Sequence, residues 1–148
     1  MNRMNRTTML VFLVAMALLV AGGAVLAKNI DCTGGLCTGT RKADNIVGTT
    51  GDDEINGRRG FDTLIGDPSG GEGDDLMFGG AGDDDITDNF PGNDVDTIFG
   101  GNGNDTINVR EGAAFSDHPD VVDCGPGDHD VIIADPTDQR TGCEILNP

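Results

Sequence analysis

A nine-residue period runs through most of the chain. Residues 79–87 read GGAGDDDIT and residues 100–108 read GGNGNDTIN. Aligning on glycine at positions one and four, aspartate at six and an apolar residue at eight gives nine frames. They start at Gly39, Gly48, Gly57, Gly70, Gly79, Pro91, Gly100, Phe115 and Cys124, with those from Pro91 and Phe115 the weakest matches. The sixth position holds Asp44, Asp53, Asp62, Asp75, Asp84, Asp96, Asp105 and Asp120, and only the ninth frame departs, with His129. The eighth position is apolar throughout: Ile46, Ile55, Leu64, Met77, Ile86, Ile98, Ile107, Val122 and Val131.

One apolar residue in nine belongs to a strand too short to stand alone, so each frame must stack on copies of itself. The glycines allow tight turns and leave carbonyl oxygens open to approach. Stacked turns lie about 4.8 Å apart, which sets sixth-position carboxylates of neighbouring turns against one another. Like charges so close repel unless a cation lies between them. Carboxylate and carbonyl oxygens at this spacing suit a hard ion with flexible geometry, Ca²⁺ before Mg²⁺.

The pattern resembles the RTX, or haemolysin-type, calcium-binding nonapeptide repeat, GGxGxDxUx. The frames from Gly79 and Gly100 fit it at every fixed position, and GGEGDDLMF from Gly70 at nearly all. The resemblance covers roughly residues 39–133. It implies an all-β parallel β-roll with two nonapeptides per turn and calcium between loops on the same side. The expected ligands are Asp62, Asp84 and Asp105 on one side and Asp53, Asp75 and Asp96 on the other, completed by loop carbonyls. RTX toxins and proteases also carry an effector domain and an uncleaved carboxy-terminal export signal. This chain leaves no room for such an effector, so the resemblance extends to calcium binding and not to toxin or protease activity.

Arg3 and Arg6 precede an apolar run from Met9 to Val20, followed by Gly22, Gly23 and Val25-Leu26-Ala27. This order reads as a secretory signal peptide over 1–27, cleaved after Ala27, against an uncleaved membrane anchor. The remaining 121 residues, from Lys28, set seven basic residues against all 26 acids, a formal charge of −19. Nucleic acid and anionic lipid are excluded as partners for such a surface, whereas cations are favoured. With no Trp or Tyr and few Phe, an ordinary globular core is out of reach. Four cysteines in an exported chain read as two disulfides with three possible connectivities. The local pairs Cys32–Cys37 and Cys124–Cys143 are favoured, because each staples one end. Residues 28–38 are then a cysteine-containing cap, and 134–148 a tail tied back by its disulfide.

Extra residues fall at Gly66–Ser69, Asp88–Phe90 and Val109–Ala114, each preceding an even-numbered frame. With two frames per turn, odd-frame loops form an unbroken ladder and even-frame loops carry every elaboration. Insertions on one face of a solenoid mark either a partner surface or simple loop tolerance. On the even sheet Leu76, Phe78 and Phe99 are expected to point outward, with the tail from Ala134 available to cover them. Arg58 and Arg59, in an odd-frame loop, weaken a cation there by like-charge repulsion. No nucleophile motif accompanies His118 or His129, no segment fits the EF-hand loop, and the outward threonine row is too broken for an ice-binding face. The expectation is a secreted, non-catalytic calcium-binding β-roll that folds on Ca²⁺. The alternative is an extracellular adhesion or matrix module in which calcium is only structural.

Overall fold

The computed structural model describes residues 27–112 and 118–147. The expected signal peptide lies outside them except for Ala27, as do Ala113 and Ala114 of the third insertion and Phe115–Asp117 of the eighth frame.

The described residues form thirteen strands in two sheets, numbered in chain order. One sheet holds β1 (Lys28–Asp31), β3 (Asp44–Val47), β5 (Thr63–Ile65), β7 (Asp85–Thr87), β9 (Thr106–Asn108), β11 (Val131–Ile133) and β13 (Ile145–Asn147). The other holds β2 (Gly35–Thr38), β4 (Asp53–Arg59), β6 (Leu76–Ala81), β8 (Thr97–Asn102), β10 (Val121–Asp123) and β12 (Gln139–Thr141). Odd strands pair only with odd and even with even, all in parallel. The chain is therefore a parallel β-solenoid, a β-roll in which each nonapeptide supplies one strand and two make a turn.

The register follows from the eighth position. Ile46, Leu64, Ile86 and Ile107 align across the odd sheet, and Ile55, Met77, Ile98 and Val122 across the even sheet. All are fully buried, forming two facing files that, among the described residues, make up the buried apolar core together with Cys37, Val109, Cys124, Ile132 and Ala134. A one-residue slip would send every one of these side chains to solvent, so the apolar spacing locks the stack.

The ninth frame departs from expectation. Ile132, not Val131, aligns with Ile107 and is buried. Its turn holds one extra residue: the N–H groups of both Asp128 and His129 donate to Asn104 Oδ1, at 3.1 and 3.2 Å. His129 is exposed, and Asp130 takes the sixth position.

The two sheets also continue past residues 39–133. β1 pairs with β3 and β2 with β4, while β12 pairs with β10 and β13 with β11. The tail is thus another coil and is not laid over the outward face of the even sheet. There Phe78 and Phe99 stack on each other, ring centroids 5.1 Å apart and 7° from parallel. Disulfides join Cys32 to Cys37 and Cys124 to Cys143, the two local pairs.

Candidate metal centre

Each turn ends in its sixth-position aspartate, which immediately precedes a strand or, for Asp44 and Asp53, opens one. On the odd edge these residues form one column, Asp44, Asp62, Asp84, Asp105 and Asp130. The N–H of each donates to Oδ1 of the next, at 2.8, 2.8, 2.8 and 2.7 Å, and Asp130 N–H ends the column on Glu144 Oε2 at 2.8 Å. On the even edge Asp53, Asp75, Asp96, Asp120 and Asp138 repeat the pattern at 2.9, 2.9, 2.9 and 3.3 Å. The carboxylates of neighbouring turns therefore do not simply face each other. Beyond the first of each column, every aspartate turns one oxygen to the preceding coil's backbone N–H, whereas Asp44 and Asp53 accept from Thr40 N–H and Thr49 N–H in their own turns.

The other oxygen is the informative one. Oδ2 of Asp62, Asp75, Asp84, Asp96 and Asp105, and Oδ1 of Asp53, are buried with no hydrogen-bond partner. A buried carboxylate oxygen without a partner is costly, and native structures contain few of them. The position-one glycines show what surrounds these atoms. A Cβ on Gly79 would lie 2.7 Å from Asp84 Oδ2 and 2.5 Å from the Gly100 carbonyl; on Gly57, 2.6 Å from both Asp62 Oδ2 and the Gly79 carbonyl. On Gly100 it would lie 2.6 Å from Asp105 Oδ2 and 2.5 Å from the Cys124 carbonyl. Glycine is required there because each turn brings a carboxylate oxygen and the next turn's carbonyl together over its α-carbon. All-oxygen donor sets of this kind suit calcium.

Burial foremost, then the neighbouring carboxylates, raises Asp62, Asp75, Asp84, Asp96 and Asp105. Asp84 is pushed up to about 7, with Asp105, Asp62 and Asp83 as its repelling neighbours. Asp75 is likewise pushed up to about 7 and Asp105 to about 6. Asp62 and Asp96 move in the same direction for the same reason.

Residues 38–68, 69–87 and 91–113 match the family described as RTX calcium-binding nonapeptide repeat (4 copies). The chain belongs to the RTX repeat family. No curated protein and no solved structure matches it. The RTX turn explains the glycines at positions two and four: Gly80 and Gly82 have φ of 114° and 138°, and Gly101 and Gly103 110° and 138°. Arg58 takes the equivalent of Gly80 with φ 79°, the single non-glycine residue at positive φ among the described residues.

The even edge carries acids that the RTX consensus does not contain. Backbone pairing sets the start of each even turn: Gly48 N–H donates to the Ile65 carbonyl, Gly66 to Thr87, Asp88 to Asn108, and Val109 to Ile133. Asp88 thus stands where Gly48 and Gly66 stand, and the extra residues lie inside the turns. Asp67, Asp88 and Asp94 are buried in them, each with one unpartnered oxygen, and Glu111 Oε1 is likewise buried without a partner. Burial and the surrounding carboxylates Asp96, Asp75, Asp67 and Asp94 push Asp88 up. Sequence reading confined to the sixth position passed over these residues. The available signal was that every even insertion brings an acid, and that the frame from Pro91 has aspartate in place of its second glycine.

Proposed function

We propose that the chain is an exported, non-catalytic protein that folds when calcium enters its turns, with Asp62, Asp84 and Asp105 as odd-edge ligands. Asp53, Asp75 and Asp96 serve the even edge, and turn carbonyls complete both sets. The observation that carries this reading is the set of buried, unpartnered aspartate oxygens set beside carbonyls over position-one glycines. A bound cation supplies the counter-charge that the fold itself does not. Binding free energy then becomes folding free energy, because the unfolded chain offers no preformed site. Mg²⁺ substitutes poorly, since its strict octahedron at short distance suits irregular carbonyl cages badly. The paired cysteines accord with an oxidising, extracellular destination.

Circular dichroism of the chain from Lys28, titrated with Ca²⁺ after chelation, tests this directly. The expected outcome is a gain of strand signal with calcium and little with equimolar magnesium. A strand-rich spectrum in excess chelator, unchanged by calcium, overturns it.

A second reading, an adhesion or matrix module with calcium as scaffold, is favoured by one feature. The outward face of the even sheet presents the Phe78–Phe99 stack beside exposed Val121. Binding to extracellular polysaccharide at saturating calcium, lost in Phe78→Ser, would support it.

A further inference from the structure

We propose that the even edge holds a cation site that the repeat does not encode, formed by Asp94, Asp96 and Glu111. It rests on the calcium reading above and shares Asp96 with it, adding two carboxylate donors, Asp94 and Glu111, that the repeat does not supply. The consensus turn offers one carboxylate and several carbonyls; here three carboxylates from two consecutive even turns converge. One oxygen from each lies within 4.8 Å of the other two. Calcium holds oxygens at about 2.3–2.6 Å, so ligands on opposite sides of one ion stand about 5 Å apart. All three oxygens therefore reach a single ion.

Acids near one another are common, and the burial of these is what points to a ligand. Asp94 is 2% exposed and Asp96 0%, and Asp94 Oδ1, Asp96 Oδ2 and Glu111 Oε1 are all buried without a hydrogen-bond partner. Asp94 also occupies a glycine position. Asp74 N–H donates to Asp52 Oδ1 and Val95 N–H to Asp74 Oδ1, which aligns Asp52, Asp74 and Val95 and therefore Gly51, Gly73 and Asp94. A turn gains nothing from aspartate where glycine serves its neighbours, so the carboxylate needs another reason to be buried.

Glu111 is held in place from the following coil. Its N–H and that of Gly112 donate to Asp135 Oδ2 at 3.0 and 2.7 Å, while Asp135 N–H donates to Asp138 Oδ2 at 2.7 Å. Glu111 and Gly112 are thereby pinned, with Glu111 Oε1 buried. Such anchoring of a ligand by residues behind it is how metal sites are preorganised.

The competing occupant is a proton shared between Glu111 and Asp94, whose carboxyl groups are within hydrogen-bonding reach of each other. Equilibrium dialysis and calorimetry with Ca²⁺ on the full chain separate the two. Asp94→Gly restores the consensus residue, and Glu111→Gln removes the charge with little change of shape. Each is expected to bind one ion fewer than the unsubstituted chain, with the strand spectrum at saturating calcium unchanged. Asp84→Asn, on the odd edge, should lose its ions without affecting this one. Unchanged stoichiometry and affinity in both even-edge variants overturns the proposal and leaves the RTX sites standing. A chain that binds no calcium at all overturns both. Should a variant fail to fold, Eu³⁺ luminescence of the unsubstituted chain decides. A second class of site, richer in carboxylate than the repeat sites, is expected in the excitation spectrum, and a single class excludes it.

Discussion

Asp62 donates its backbone N–H to Asp84 Oδ1 across 2.8 Å, while Asp84 Oδ2 lies buried with no partner beside the α-carbon of Gly79. One side chain thus has two duties: an oxygen that brackets the preceding coil and an oxygen free to meet a cation. The two are separable by substitution.

Asp84→Asn keeps an acceptor for Asp62 N–H and loses the charge, whereas Asp84→Ala loses both. In calcium both variants should bind fewer ions than the parent, because Asp84 stands midway in the column and neighbours two turns. Without calcium they should diverge. Asn removes a buried charge and should be neutral or stabilising, while Ala orphans an N–H at a cost of about 1–3 kcal/mol. Asp44→Asn, at the start of the column, should lose less calcium than Asp84→Asn. Calorimetric stoichiometry and urea titrations on the three variants check this, and equal ion losses at positions 44 and 84 would count against a shared ligand.

Arg58 has φ 79° where the stacked turns above it have Gly80 and Gly101. A left-handed side-chain residue costs about 1–2 kcal/mol, partly offset because glycine makes the unfolded chain more flexible. Arg58→Gly should therefore raise stability by about 0–1 kcal/mol and strengthen calcium binding in the adjoining turn by removing a cation. Gly82→Ala should do the reverse, since its Cβ would strike the Gly60 carbonyl. Thermal melts of the two variants at saturating calcium should move in opposite directions.

Most of the fold was legible because one physical constraint repeats: a single inward residue every nine fixes strand, sheet and register together. That logic failed where the count changed. The extra residue beside Asn104 shifts the inward position from Val131 to Ile132 and makes Asp130, not His129, the column's member. It also passed over both ends. β1 pairs Ile30 with Ile46 and β12 pairs Arg140 with Val122, so backbone stacking on an existing coil recruits sequences that lack the motif. The even-edge acids were hidden for a different reason. Asp67, Asp88 and Glu111 sit in insertions whose position along the chain says nothing of inward or outward direction, and solvated loops are the ordinary home of such residues.

The raised carboxyls give the metal-free chain an inverted pH dependence. Asp75, Asp84 and Asp120 are pushed up to about 7 by burial first and by neighbouring carboxylates second, from an ordinary value of 3.8. Between those values the folded chain binds more protons than the unfolded chain, so its stability falls as pH rises from about 4 to about 7. In chelator, strand signal should therefore be greatest near pH 4 and lost by neutrality. Calcium should displace the same protons, so its affinity rises with pH over the same window. Calorimetry in buffers of differing ionisation enthalpy should register proton release on binding near pH 6. A pH-independent metal-free spectrum would show that these carboxyls are not buried in the folded chain.

The two disulfides should contribute unequally. Cys32–Cys37 spans 5 residues and Cys124–Cys143 spans 19. Loop closure alone assigns them about 2 and about 3 kcal/mol respectively. Location widens the gap. Cys124 is fully buried in the apolar file, and its carbonyl lies against Gly100 at the last well-formed odd turn. Cys143 lies between β12 and β13, the coil in which the even column ends on Asp138 and the odd column on Glu144. Cys143→Ser should therefore release that coil and leave Asp120 and Asp130 N–H without acceptors, so that loss spreads inward along both columns. Hydrogen exchange at saturating calcium should show lost protection over residues 118–147 and retained protection over 53–87. Cys37→Ser should expose little beyond β1 and β2. Uniform loss of protection in Cys143→Ser would mean that the roll unfolds as one unit rather than coil by coil.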